Sequence, residues 1–175
     1  MLERIWSGWR STYVTAAPVR TGEEATAPGS VFTRLLSSAV PDTESHIVHR
    51  GHTCFVVANL FPYTTGHLLV VPYREVADLD GLTGEETADL WATVTEAVRV
   101  VRSVYEPDGL NVGLNLGRPA GGSVPDHLHV HVVPRWTGDS NFMSAIANTQ
   151  TLPEALVDTA AKLRAGWASA AGERQ

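Results

Sequence analysis

Asp126-His127-Leu128-His129-Val130-His131-Val132-Val133-Pro134-Arg135 alternates histidine with an apolar residue through three cycles. In an extended chain successive side chains point to opposite faces, so the three imidazoles share one face while Leu128, Val130 and Val132 enter a core. Neighbouring rings are then spaced roughly 6.7 Å apart along the strand. A lone histidine is easily accommodated in a core, because its ring is apolar and its nitrogens can be paired. Three on one face repeat a desolvation cost that chemistry would explain better.

Metal binding is the first chemistry to weigh. On a flat strand His127 and His131 lie roughly 13 Å apart, too far for one ion with ligands at about 2 Å. No metal site is therefore expected. Covalent catalysis fits better: a histidine attacks phosphorus through one ring nitrogen when the other is held as an N–H donor, which sets the tautomer and frees the attacking lone pair. His129, held on both sides, is the candidate nucleophile, and His127 and His131 are its hydrogen-bonding flanks.

The segment from Asn111 to Ser123 runs into this motif and suits an oxyanion. Asn115 and Ser123 offer side-chain hydrogen bonds, and Gly121 and Gly122 expose backbone N–H groups and allow close approach. Arg118 could reach distal phosphates or remain a solvated loop charge.

Around the motif, Cys54 to Leu60 and His67 to Tyr73 read as two strands joined by a Pro62-Tyr63-Thr64-Thr65-Gly66 turn. Thr83 with Glu86 is a capping box, and Leu90, Val94, Ala97, Val98, Val101 and Val104 follow at helical spacing. Pro107 and Gly109 stop that helix, and Leu110 to Leu116 returns as a strand. Phe32, Leu35 and Leu36 suggest a short helix. Thr151 and Glu154 repeat the capping pattern ahead of a stripe of Leu156, Ala160, Leu163 and Trp167. His46, His49 and His52 have neither period and read as surface or turn residues. The expected order is strand, strand, helix, strand, strand.

The chain of 175 residues is the length of one domain, and 43% apolar against 18% charged residues suits a globular core rather than disorder. A net charge of −6 provides no broad basic face, which argues against nucleic acid as a partner. Cys54 is the sole cysteine, so no internal disulfide forms. The first residues lack a signal-like apolar run and no stretch is long enough to span a bilayer, so a soluble, cytoplasmic protein is expected. Residues 1–30 read as an arm bearing Trp6, Trp9 and Tyr13 followed by a flexible connection from Thr15 to Ser30.

The triad, preceded by Asn115, Gly117, Gly121 and Ser123, resembles the histidine triad (HIT) superfamily of nucleotidyl hydrolases and transferases. The likeness extends to Asn59, Pro62, His67 and Pro72 and covers roughly Thr53 to Trp136. It implies an α+β fold with an antiparallel sheet, one long packed helix and a C-terminal helix, in a single domain over 1–175 with a nucleotide-binding core at 46–136 and the last helix at 151–168. It also implies a homodimer, with a tetramer left open, and a nucleotidyl-histidine intermediate. Carried over, His129 is the nucleophile, His127 orients it and His131 contacts the reacting phosphate. Ser123 and Asn115 bind phosphate oxygens, Asn59 grips the ribose, Val57 and Leu60 line the base pocket, and His67 supports the site.

Two departures mark a branch. Gly122 stands where hydrolytic members carry glutamine, and the stretch from Ser123 to His127 is one residue longer. Both, with Pro134 to Phe142 and the aromatic arm, resemble the actinobacterial diadenosine tetraphosphate phosphorylase branch. Its expected reaction takes a dinucleoside polyphosphate and inorganic phosphate to ADP and ATP, with no cofactor beyond magnesium carried by the polyphosphate. A hydrolase of dinucleoside polyphosphates or adenosine phosphoramidates is the alternative, and a nucleotide-binding regulatory module is a third reading.

Overall fold

The computed structural model describes residues 28–139 and 154–172. Along the chain come helix α1 (Val31–Ser37), strands β1 (Ile47–Arg50), β2 (Cys54–Ala58) and β3 (Leu68–Pro72), helix α2 (Gly84–Tyr105), strands β4 (Gly109–Leu114) and β5 (Val130–Arg135), and helix α3 (Leu156–Gly172). The strands form one antiparallel sheet in the order β1-β2-β3-β5-β4. The expected α+β class holds.

Thr83 and Glu86 close their capping box in both directions, and Leu90, Val94, Ala97, Val100 and Val101 form the buried face of α2. That helix ends at Glu106, a left-handed residue whose N–H returns to Arg102 O. Gly109 therefore opens β4 and does not stop the helix, contrary to the sequence reading. In α3 the expected stripe is present, with Ala160, Leu163 and Trp167 buried and Leu156 packed against them. Thr151 lies outside the described residues, as do Trp6, Trp9, Tyr13 and Ser140 to Phe142.

Strand β1 was not expected. It is a four-residue edge strand whose register slips between Ile47 and His49, and His46 enters it at φ 60°. The irregularity hides the period of two. His49 is consequently no loose surface group: it is half-buried and stacks on Trp167 with ring centroids 4.5 Å apart.

The sheet has two unlike faces. Val56, Val70, Leu128, Val130 and Val132 meet α2 and α3 in the larger core. On the other side Phe55, Val57, Leu69 and Val71 form a smaller cluster with Ile47, capped by Phe32 of α1. The histidine rings lie on that second side, where Phe32 touches His127 and His129 at centroid distances of 5.4 and 5.3 Å.

The alternation of the opening motif is thus kept, but its ladder is shorter than read. Pairing begins at Val130, so only His131 belongs to β5. Leu128 N–H instead donates to Val76 O at 2.6 Å, holding the lead-in beside the segment after β3. His127 and His129 are fixed by their own side-chain bonds.

Candidate active site

Hydrogen-bond partners determine which nitrogen of each ring carries a proton, because a carbonyl can only accept. His129 Nδ1 lies 2.8 Å from His127 O and must donate to it. Its Nε2 then bears a lone pair. His127 Nε2 donates to Pro72 O at 2.8 Å, leaving Nδ1 to accept from the Ser30 hydroxyl at 2.6 Å.

His131 is set through His67. Tyr63 N–H donates to His67 Nδ1 at 3.1 Å, so His67 Nε2 carries the proton and donates to His131 Nδ1 at 2.9 Å. His131 Nε2 is then an N–H, buried and unpartnered among the described residues. A buried donor left unsatisfied is costly, and this one is free to meet an acceptor. The rings of His129 and His131 are 5.0 Å apart between centroids, so the free lone pair and the free N–H are carried by adjacent rings.

Burial keeps all four rings neutral. Desolvation pushes the pKa of His67 down to about 3 and that of His131 to about 4, and it lowers those of His127 and His129 as well. A neutral His129 is the nucleophilic form. Gly113 on β4 pairs with His131 on β5, and a side chain there would meet nothing within 4 Å, so the β4 position beside His131 is open.

The other sequence candidates distribute unevenly. Asn59 comes to the cluster: its Nδ2 is 3.3 Å from His67 Nδ1 and its Oδ1 accepts from Phe61 N–H at 3.1 Å. Val57 is buried on the histidine side of the sheet. Leu60 is 65% exposed at the hairpin tip. Arg118 and Ser123 are exposed, Asn115 is half-buried, and no hydrogen bond joins any of the three to the histidines among the described residues. Gly121 is left-handed at φ 96° and turns its N–H back to Arg118 O. Gly122 folds against Asn115, where an added Cβ would lie 3.1 Å from Gly117 O. Among the described residues no three His, Cys, Asp or Glu side chains are grouped to hold a metal ion.

Four residues at the cluster escaped sequence reasoning. Ser30 is 8% exposed and caps α1, although its neighbours suggested a connection. Phe32 was read only as a helix residue. Glu75 accepts from Ser30 N–H at 2.8 Å and Thr33 Oγ1 at 2.5 Å, and Tyr63 stacks on His131. A serine just ahead of an apolar-periodic segment is an N-cap signal, the one clue to Ser30. Its pairing with a residue 97 positions away carried none.

A family model for the HIT domain matches residues 40–138. The chain belongs to the HIT domain family. A protein of Mycobacterium tuberculosis named AP-4-A phosphorylase is 46% identical over 168 residues, 95% of this chain and 85% of that protein. The asymmetrical bis(5'-nucleosyl)-tetraphosphatase of Schizosaccharomyces pombe is 37% identical over 54% of this chain and 52% of its own length. Among solved structures, a zinc-bound histidine triad protein from Mycobacterium smegmatis superposes with TM-score 0.67 at 27% identity, over 83% of this HIT chain and 97% of that one. The family model spans every strand of the sheet and all four histidines of the cluster.

Proposed function

We infer that this protein is a nucleotidyltransferase that phosphorolyses diadenosine tetraphosphate to ADP and ATP through an AMP-histidine intermediate. The observation that carries the chemistry is the pairing of a bare His129 Nε2 with the unpartnered N–H of His131. The substrate follows the named relative, which resembles this chain over 95% of its length.

In the first displacement His129 Nε2 bonds to the α-phosphorus as its bond to the bridging oxygen breaks, and ATP leaves with that electron pair. The Nδ1 proton stays on the ring, and the positive charge formed there faces His127 O. His131 N–H donates to a non-bridging oxygen on the same phosphorus, a contact that strengthens as charge develops. Inorganic phosphate then attacks in line, the phosphorus–nitrogen bond breaks, its electrons return to Nε2, and ADP departs. Two displacements replace one harder step.

In this reading Asn115 and Ser123 hold phosphate oxygens with the N–H group of Gly122, Gly121 turns the loop with its own N–H bound to Arg118 O, and Arg118 reaches the distal phosphates. Asn59 meets the ribose, and Val57 with Leu60 receives the base. Magnesium enters with the polyphosphate, whose phosphate oxygens supply its ligands. Gly122 favours phosphate over water as acceptor, because it presents a backbone donor in place of a water-positioning amide.

A homodimer is the assembly proposed. β4 is an edge strand with Val112 exposed, and pairing two such edges about a two-fold axis would satisfy their backbone groups. No described helix is long and apolar enough to cross a membrane. A cytoplasmic setting, which supplies inorganic phosphate, suits the reaction.

The deciding experiment supplies diadenosine tetraphosphate with and without phosphate. ADP plus ATP, formed only with phosphate, is the expected result. AMP plus ATP regardless of phosphate would mean a hydrolase, the activity that the yeast relative's name describes. No turnover in either would overturn the inference.

A further inference from the structure

At the far side of His127 from the reacting face lies a closed set of hydrogen bonds that the reaction does not touch. Glu75 Oε2 accepts from Ser30 N–H at 2.8 Å and from Thr33 Oγ1 at 2.5 Å. Those two contacts, the hydroxyl first, hold the Glu75 carboxyl below its usual range and keep it an acceptor only. The Thr33 hydroxyl proton is therefore committed to Glu75. Ser30 Oγ already accepts from Thr33 N–H at 3.1 Å as the cap of α1. Its own proton is directed to His127 Nδ1 at 2.6 Å, in a buried contact.

Pro72 O can only accept, so His127 carries its proton on Nε2 and gives it there, and Nδ1 is left to accept from the Ser30 hydroxyl. Both ends of the ring are tied, one to the helix that supports Phe32 and one to the last residue of β3. The His127 carbonyl is held between them, and that carbonyl fixes the tautomer of His129.

We propose that Ser30 is a positioning residue for nucleotidyl transfer, its hydroxyl tying the ring of His127 to α1 so that the backbone carbonyl of His127 keeps His129 Nε2 aimed and unprotonated. This deepens the proposed function and rests on it for its kinetic consequence. Ser30 does not contact substrate. Its loss lowers the rate of the chemical step and leaves substrate affinity in place.

The test uses the full-length protein with Ser30→Gly, Ser30→Ala and Ser30→Thr. Glycine is tolerated at an N-cap, so Ser30→Gly removes the hydroxyl with little effect on α1, and it serves should Ser30→Ala fail to fold. Long-range proton–nitrogen NMR of the imidazoles reads each tautomer directly. In the wild type His127 shows a bare Nδ1 and His129 a bare Nε2. In Ser30→Gly the His127 Nδ1 resonance moves to that of a nitrogen with no hydrogen bond while the proton stays on Nε2, kcat for the dinucleotide falls by about tenfold, the magnitude of one unpaired buried nitrogen, and KM stays within twofold. Ser30→Thr restores both.

Unchanged His127 signals in the variants lacking the hydroxyl, or kcat within twofold of wild type, would overturn the proposal. So would a tenfold rise in KM at constant kcat, which would make Ser30 a binding residue. If the wild type turns over no dinucleotide, the reaction has been misread, while the NMR comparison still decides whether Ser30 holds His127 Nδ1.

Discussion

His67 Nε2 lies 2.9 Å from His131 Nδ1, and the hydrogen bond between them runs in one direction. Tyr63 N–H fills the opposite nitrogen of His67, so His67 can only donate, and His131 must present its remaining N–H to the site. The turn between β2 and β3 thereby determines the chemistry of a residue 64 positions on.

His67→Ala frees His131 to adopt the other tautomer without removing its ring. The expected loss in kcat/KM is roughly tenfold to a hundredfold, smaller than the roughly 10² to 10³ for deleting an oxyanion donor outright. Steady-state kinetics beside His131→Ala measures both. Wild-type activity in His67→Ala would show that the proton on His131 is placed by something else.

Acid should destabilise the protein well above the carboxylate range. Burial holds His67 down to about 3 and His131 down to about 4, whereas an unfolded histidine titrates near roughly 6.5. Between those limits the unfolded chain binds protons that the folded chain refuses. Stability is therefore complete above about pH 6.5 and falls on acidification toward 4, by up to about 1.4 kcal/mol per pH unit for each such histidine. Glu86, held to about 2 chiefly by Arg74, has its effect only below its ordinary 4.5. Thermal unfolding followed from pH 7.5 to 5 should show a falling Tm; a flat profile would contradict the burial of neutral rings.

Gly122→Gln should lower the ratio of ADP to AMP formed from diadenosine tetraphosphate in the presence of phosphate. Any side chain there places a Cβ 3.1 Å from Gly117 O, so Gly122→Ala is the companion that isolates the effect of that close contact. The alanine variant is expected to be slower with its product ratio unchanged. An unaltered ratio in Gly122→Gln would dissociate the glycine from the choice of acceptor.

Gly166 is where α3 lies closest to α2: an added Cβ would fall 2.5 Å from Val104 Cγ2 and 3.3 Å from Val100 Cγ1. Gly166→Ala forces the helices apart at a cost of about 1–3 kcal/mol. The roughly 1 kcal/mol by which alanine favours a helix offsets only part of that. A lower Tm is expected by calorimetry, and a higher one would mean that the two helices yield easily.

Much of this was legible in the chain because it is periodic. The alternation through His127, His129 and His131 told which rings share a face, and the capping box at Thr83 marked the start of α2. Strand β1 was hidden because its register slip breaks the period, and Gly109 was misread because glycine both ends helices and opens strands. At the site, His67 carried a family signature, whereas Ser30, Phe32 and Glu75 reach the triad only through the packing of α1 and the segment after β3. Contacts of that kind have no local pattern. The exposure of Leu60, Arg118 and Ser123 was equally invisible, since a loop residue's reach depends on the fold beneath it.

The most direct measurement is rapid quenching of the protein with diadenosine tetraphosphate labelled in the adenosine moiety, without phosphate, followed by mass spectrometry of its peptides. An adenylyl group on His129, discharged as ADP when phosphate is added, is the predicted result. Steady turnover with no adduct on His129, or with the adduct on another residue, would contradict it.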